Sequence, residues 1–228
     1  MLKLIICGIN GAMGSKIYEQ AIACGHEITC GIDKITVKNV DCQVFTDFDQ
    51  IPHFANVIVD FSSPSITSDL LNYALSNSLP LVIGTTGHSK LQEEQIYKAS
   101  KSIPIFKSAN TSLGVFSFVK LCKLASQLLN DYDLQIVEKH HKNKKDSPSG
   151  TANLIYKELL GTAKTINLHS IRGGTVVGEH EVMFLGNGES ITLTHKAESK
   201  LLFANGALKA CEFIANKQSG LYSTKDLI

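Results

Sequence analysis

The turn Gly8-Ile9-Asn10-Gly11-Ala12-Met13-Gly14 constrains the fold of this chain more than any other stretch. Before it, Leu2 to Cys7 is a short, nearly continuous apolar run, the pattern of a strand buried on both faces. After it, Ile17, Ala21 and Cys24 recur at helical spacing. Strand, glycine turn and helix in that order let a backbone approach a pyrophosphate closely and aim a helix start at it. The glycines stand as G-x-x-G-x-x-G, a variant of the more familiar G-x-G-x-x-G. Alone such a turn says little, because glycine turns punctuate many α/β proteins. The segments downstream give it weight.

Glu27 to Ile32 reads as a second strand and ends at Asp33, 19 positions past Gly14, where an acid is placed to bond ribose hydroxyls. Lys34 beside it could instead neutralise a 2′-phosphate, and a solvated Asp-Lys turn accounts for the pair nearly as well. Read as a cofactor feature, Asp33-Lys34 tolerates both NADH and NADPH. Val57 to Asp60 is a strand that turns through Phe61-Ser62-Ser63-Pro64 into a helix carrying Ile66, Leu70, Leu71 and Leu75. Leu79 to Ile83 leads into Gly84-Thr85-Thr86-Gly87; Ser89-x-x-Gln92 then has the form of a capping box. Ile103 to Phe106 enters Ser108-Ala109-Asn110-Thr111-Ser112-Leu113-Gly114. Strands alternating with helices predict an α/β fold, a doubly wound parallel sheet of Rossmann type, with function at the strands' carboxyl ends. The loops at Asp60, Gly84 and Ser108 fall at such ends.

The second half changes pattern. Leu113 to Leu129 is helical, and simple core packing explains its apolar face. Asp133 to Val137 reads as a strand feeding the loop His140-His141-Lys142-Asn143-Lys144-Lys145-Asp146-Ser147-Pro148-Ser149-Gly150-Thr151. A helix, Ala152 to Leu160, comes next and is closed by Gly161. The loop brings two imidazoles and several ammonium groups to a helix start at which Ser149 and Thr151 are capping types. Free amides with a helix dipole behind them favour a carboxylate or phosphate. An imidazole there can hold or donate a proton near neutral pH. Against this, lysine-rich loops are usually solvated and Ser-Gly-Thr is usually only a cap. Thr165 to Arg172, His180 to Leu185 and Ser190 to Lys196 read as strands without intervening helices, with Gly186-Asn187-Gly188 a hairpin signal, so this half is expected to be α+β. His180 and His195 are read as hydrogen-bonded structural histidines. Phe203 to Lys217 is again helical.

Composition bounds the rest. A net charge of +1 and a single arginine, Arg172, argue against a nucleic-acid partner. The six cysteines (Cys7, Cys24, Cys30, Cys42, Cys122, Cys211) form no C-x-x-C and no zinc spacing, so no metal is expected and buried, reduced thiols are. The apolar run from Leu4 stops at Gly8, too short for a signal peptide or a membrane span, which predicts a cytoplasmic protein and no membrane partner.

Glu138 to Thr151 resembles the E-x-H-H-x-x-K-x-D-x-P-S-G-T signature of the dihydrodipicolinate reductases, enzymes of lysine and diaminopimelate biosynthesis. The resemblance extends to G-x-x-G-x-M-G at Gly8–Gly14, D-F-[ST]-x-P at Asp60–Pro64, G-T-T-G at Gly84–Gly87 and S-A-N-x-S-x-G at Ser108–Gly114. It continues through Arg172–His180 and Gly188–Ala207, where Lys200 replaces the commoner arginine. It implies a cofactor, NADH and/or NADPH, held by Gly8, Asn10, Gly11, Ala12, Met13, Gly14, Asp33, Lys34, Phe61, Gly84, Thr85, Thr86, Ser108, Ala109, Asn110 and Thr111. Ala12 stands where many relatives have arginine, which weakens the NADPH side. It implies a dinucleotide-binding domain over 1–111, a substrate-binding and oligomerisation domain with a mixed sheet over 112–203, and a segment 204–228 returning to the first domain. The mixed sheet would build a homotetramer. The reaction implied is reduction of a cyclic imine dicarboxylate to tetrahydrodipicolinate. His140 would give the proton, with Lys144 able to share that role; His141, Lys144, Ser149, Gly150 and Thr151 would anchor the substrate. Two competing readings are another imine reductase on the same scaffold and a dinucleotide-sensing protein without catalysis. A semialdehyde dehydrogenase would need a nucleophilic cysteine, and none of the six has a suitable setting.

Overall fold

The computed structural model describes residues 1–35, 40–51, 54–163 and 165–227. In chain order its elements are β1 (Lys3–Cys7), α1 (Gly14–Ala23), β2 (Glu27–Ile32), β3 (Gln43–Phe45), β4 (Val57–Asp60), α2 (Thr67–Ser76), β5 (Leu81–Ile83), α3 (Lys90–Ala99) and β6 (Pro104–Lys107). Next come α4 (Leu113–Leu128), β7 (Asp133–His140), α5 (Gly150–Leu159), β8 (Ile166–Arg172), β9 (Gly178–Leu185), β10 (Ser190–Ala197), α6 (Leu201–Ile214) and β11 (Gly220–Tyr222). The chain divides into two compact units, one comprising Met1–Ser112 with Leu201–Ile228 and the other Leu113–Lys200.

The first unit is a sheet in the order β11-β6-β5-β4-β1-β2-β3, and all its pairs are parallel. Strand order reverses at β1, with β2 on one side and β4 on the other. This is the doubly wound, Rossmann-type sheet that the alternating pattern predicts. Its strands read as continuous apolar runs because both faces are covered. Leu4 and Ile6 of β1 pack with Ile17 and Ala21 of α1 and with Leu208 and Cys211 of α6. Ile5 and Cys7 pack on the opposite side with Leu70 and Leu71 of α2 and Ile96 of α3. The expected capping box is present: Ser89 Oγ accepts from Gln92 N–H, and the Gln92 side chain accepts from Ser89 N–H.

The second unit is a mixed sheet in the order β10-β9-β7-β8, in which β7 and β8 are parallel and the other pairs antiparallel. Leu134, Ile136, Val182 and Phe184 on its inner face pack with Phe118, Val119 and Cys122 of α4 and Ile155 and Leu159 of α5. The β9–β10 hairpin turns at Asn187-Gly188, with Gly186 N–H bonded to Glu189 C=O at 3.0 Å; Gly188 alone of the two takes a left-handed φ, +85°.

Three expectations need correction. Of the cysteines expected to be buried, Cys42 is half-buried and Cys24 is exposed, because α1 ends at Ala23 and the chain turns at Gly25. The helix after the central loop starts two residues earlier than its apolar periodicity indicates, at Gly150, so Ser149 is the cap and Thr151 lies within the first turn. The strand expected at 103–106 runs Pro104–Lys107, since Ile103 N–H still closes the end of α3 on Ala99 C=O.

Candidate active site

In the first unit the residues just past the strand ends form one row. Gly8 N–H donates to Ile32 C=O, Phe61 N–H to Cys7 C=O, Gly84 N–H to Asp60 C=O and Ser108 N–H to Ile83 C=O, at 2.8 to 3.1 Å. Asp33 N–H continues it to Phe45 C=O. The sheet register thus brings together the five loops to which sequence assigns the dinucleotide. The turn after β1 is shaped by close approach. Gly8 has φ +78°, and a Cβ on Gly14 would stand 2.0 Å from the Gly8 carbonyl oxygen. Nothing larger than glycine fits at position 14, and no side chain caps the start of α1. These are the properties a pyrophosphate cradle needs. Asp33 is engaged through both oxygens, accepting from Asn10 N–H (2.9 Å) and Lys34 N–H (2.7 Å). Gly11, Ala12, Lys34, Thr86 and Ala109 are exposed, while Met13 packs partly against the core.

Around this row the side chains hold one another. A Cβ on Gly84 would meet the Phe61 ring at 2.2 Å, so the ring lies directly on that glycine. Asp60, 1% exposed, accepts from the Ser62 hydroxyl and amide, and Ser62 N–H also donates to Thr85 Oγ1. Burial raises the Asp60 carboxyl above its ordinary value, against bonds from Ser62 and Thr85 that lower it. Thr224 donates to Ser108 Oγ at 2.7 Å, and Thr111 Oγ1 donates to Phe203 C=O at 2.7 Å. The loop carrying Ser108 to Thr111 is therefore held by the segment that comes after β10, a contribution no local pattern indicates.

In the second unit, the strand register arranges cross-strand neighbours on the helix-covered face. One row is His195–His180–Glu138–Ser170, and beside it lie the pairs Ala197–Gly178 and His140–Arg172. Residues two apart on a strand share a face, which puts Glu138 beside His140. Glu138 is completely buried. Arg172 clamps it with both ends of its fork, Nη1 to Oε2 at 2.9 Å and Nη2 to Oε1 at 2.6 Å. The carboxylate also accepts from His140 Nδ1, on Oε2, from Ser149 N–H, on Oε1 at 3.2 Å, and from the Ser170 side chain. Burial would raise the carboxyl, but bonds from Arg172, Ser170 and His140 hold it down at about 2. An ionised carboxylate only accepts, so His140 carries its hydrogen on Nδ1. Its Nε2 lies 3.0 Å from where a Cβ on Gly178 would be. Burial lowers the His140 pKa, opposed by Glu138 and assisted by Lys144 and Arg172, so the ring is neutral near pH 7.

Ser149 caps α5, accepting from Ala152 N–H at 3.1 Å, and its hydroxyl also bonds His180 Nε2 at 3.2 Å. The His180 ring stands edge-on to His140, centroids 5.3 Å apart. Burial, with the neighbouring His140, pushes its pKa down to about 4. His180 is thus the buried, hydrogen-bonded histidine that the sequence predicts, and the group it bonds is the cap of this helix start. His195 lies behind it in the row, its ring 6.0 Å from Phe118. Lys144 pairs with Asp146 at 2.8 Å, and the Asp146 carboxylate also accepts from Gly150 N–H. His141 is half-buried just past the end of β7, its carbonyl accepting from Lys144 N–H at 3.1 Å. Gly150 is exposed and Thr151 half-buried at the helix start.

Sequence reading thus names His140, His141, Lys144, Ser149, Gly150 and Thr151, all near this helix start, but assigns no role to Glu138 and Arg172 and reads His180 as structural. Glu138 has a local signal, its i, i+2 relation to His140. The other two lie on different strands and become neighbours only through register.

Comparison with known proteins agrees with this architecture. Residues 2–111 match the family described as dihydrodipicolinate reductase, N-terminus, and residues 114–228 match dihydrodipicolinate reductase, C-terminus. The chain is 40% identical over 248 residues to the 4-hydroxy-tetrahydrodipicolinate reductase of Clostridium novyi (strain NT), covering 100% of this chain and 98% of that protein. It is 37% identical over 249 residues to the protein of the same name from Staphylococcus aureus (strain MRSA252), covering 99% and 100%. In structure it is similar to a dipicolinate-bound dihydrodipicolinate reductase from Paenisporosarcina sp. TG-14, with a TM-score of 0.86 at 20% identity over 100% of both chains. An amine dehydrogenase from Mycobacterium smegmatis shares the fold at a TM-score of 0.62 and 10% identity, covering 98% of this chain and 95% of that one. On sequence identity along its whole length, with both halves matched in order, this chain belongs to the dihydrodipicolinate reductase family.

Proposed function

We propose that this protein reduces the cyclic imine dicarboxylate 4-hydroxy-tetrahydrodipicolinate to tetrahydrodipicolinate, an NAD(P)H-dependent step of lysine and diaminopimelate biosynthesis. The names of its relatives, at 40% and 37% identity over nearly the whole chain, support the reaction. A bound nicotinamide dinucleotide supplies the hydride. Gly8 to Gly14 receive its pyrophosphate, Asp33 and Lys34 face its adenosine ribose, and Phe61, Gly84 to Thr86 and Ser108 to Thr111 hold the ribose and nicotinamide. Asp33 and Lys34 accept NADH and NADPH alike.

The observation that carries the chemistry is that His140 is held through Nδ1 by a buried carboxylate while Nε2 faces the space left by Gly178. That nitrogen carries the proton delivered to the electron-rich atom left by hydride addition. Passing from 4-hydroxy-tetrahydrodipicolinate to tetrahydrodipicolinate also removes the 4-hydroxyl, which leaves as water with a hydrogen of the adjoining ring carbon. The hydride and the proton then add to the two carbons of the double bond so formed. A proton donor must be charged beforehand, and a bound dianion raises the proton affinity of the imidazole beside it. Lys144 and the Gly150 amide receive a substrate carboxylate, with Ser149, Thr151 and His141 around it. A carboxylate of the chain itself, Asp146, already takes those two donors.

The assembly we propose is a homotetramer packed through the outer face of the four-stranded sheet, where Val137 and Met183 lie among Gln135, Lys139, Glu179 and Glu181. The place of action we propose is the cytoplasm; no helix among the described residues is long and apolar enough to cross a membrane. The deciding assay measures oxidation of NADH and of NADPH with and without the imine. His140→Gln is expected to lower kcat roughly 10²- to 10⁴-fold. A change confined to KM would reduce His140 to a binding group. Tight dinucleotide binding without imine-dependent oxidation would favour the dinucleotide-sensing reading.

A further inference from the structure

We propose that Arg172 and Glu138 are positioning residues that make the two candidate proton donors one unit, acting on His140 through the Glu138 carboxylate and on Lys144 through Asp146. The proposal rests on the reaction assigned above. Arg172 lies directly opposite His140 across β7 and β8 but turns its guanidinium back to Glu138 in the neighbouring row. The same Nη2 donates to Asp146 C=O at 2.8 Å, and the Asp146 side chain holds the Lys144 ammonium at 2.8 Å. Directly after Arg172, Gly173 N–H donates to His140 C=O at 3.0 Å. One residue of β8 thus fixes the imidazole by side chain and by the adjoining backbone, and also fixes the loop that carries the lysine.

A buried ion pair is weak evidence for stability, because desolvating two charges offsets most of their attraction. The distribution of donors around Glu138 points elsewhere. Both its oxygens are shared between the arginine and a part of the site, His140 on one and the amide of the helix cap on the other. The arrangement does two opposed things to His140. The anion fixes Nδ1–H and stabilises the charged ring; the guanidinium beside it limits that stabilisation, so the ring releases its proton. The other groups facing His140 are His180 from β9 and Lys144 from the loop, the latter balanced by Asp146, while Gly178 and Ala197 are uncharged.

Removing the two charges must therefore move the site in opposite directions. An acid is active below its pKa and lost above it, so the alkaline limb of kcat reports His140 in the complex. Glu138→Gln removes the anion and is expected to move that limb down by roughly one pH unit, with kcat falling roughly 10²-fold or more and KM changing little. Arg172→Gln removes the cation and is expected to move the limb up. Arg172→Lys keeps the charge without the fork and should leave the limb in place while kcat falls. Nitrogen NMR of His140 in the ligand-free protein supplies a readout independent of turnover. Nδ1 is protonated in the wild type, and in Glu138→Gln, whose amide must spend its one acceptor oxygen on Arg172, the hydrogen moves to Nε2. Limbs that stay put or move the same way, or an unchanged His140 tautomer, overturn the proposal even if all variants lose activity. A wild-type protein inactive on the imine would sink the assigned reaction, and the NMR result would still decide this one.

Discussion

Acidification should unfold this protein through His180 in a way that a single substitution can expose. The ring is 4% exposed, in a row between His195 and Glu138, and burial with His140 alongside pushes its pKa from 6.5 to about 4. A histidine lowered in the folded state is neutral there while the unfolded chain has already taken up a proton. The unfolded state then binds more protons, so the contribution is complete above 6.5 and is lost as pH falls from 6.5 toward 4. At about 1.4 kcal/mol per pKa unit the whole window is worth about 3 kcal/mol. Glu138 loses its own contribution lower, as pH falls from 4.5 to about 2, so measurements kept above 4.5 leave it out. Asp60, raised by burial, acts with the opposite sign, and His140 with the same sign as His180. The test is therefore a difference. Urea unfolding of wild type and His180→Gln, monitored by far-UV circular dichroism because the chain has no tryptophan, is compared at about pH 7 and about pH 5. The variant is expected to be less stable at the higher pH, with the gap closing by about 2 kcal/mol at the lower. A gap that stays constant would show that His180 is not the proton-linked group.

Other substitutions probe the close approaches. Gly178→Ala sets a methyl carbon 3.0 Å from His140 Nε2 and 3.4 Å from its Cδ2; imine-dependent turnover should fall at least tenfold while dinucleotide affinity, read by fluorescence of the reduced cofactor, is unchanged. Gly14→Ala would put a Cβ 2.0 Å from the Gly8 carbonyl oxygen, and is expected to abolish dinucleotide binding and to cost about 3 kcal/mol of stability. Gly206→Ala would meet the Thr111 carbonyl oxygen at 1.7 Å and push α6 off the Ser108–Thr111 loop, lowering stability by a similar amount, about 3 kcal/mol, and raising the KM for the cofactor.

Much of the fold is legible in the chain because its causes are local. The apolar run of β1, the turn whose glycines admit backbone against backbone, and the amphipathic α1 each arise from spacing and side-chain size. The Ser89 and Ser149 caps arise from residue type at a fixed offset from a helix. Even so, Gly150 and Thr151 belong to α5 although only Ala152 begins its apolar periodicity, because a cap, and not burial, starts a helix.

The candidate site is only half legible for the same reason. His140, Lys144 and Ser149 fall in one stretch of sequence, so their association can be read. Their organisation cannot. Glu138 is an ordinary acid in the chain and a wholly buried, ionised one in the fold. It becomes so because register sets Arg172 of β8 within reach on one side and His180 of β9 on the other. A slip of one residue in either pairing would send those side chains to the opposite face. Nothing in the periodicity of a single strand specifies its neighbour's register. Residue types therefore indicate the chemistry proposed for this protein, while the pairing of β7 with its neighbours decided that the carboxylate holding His140 Nδ1 is buried and clamped by Arg172.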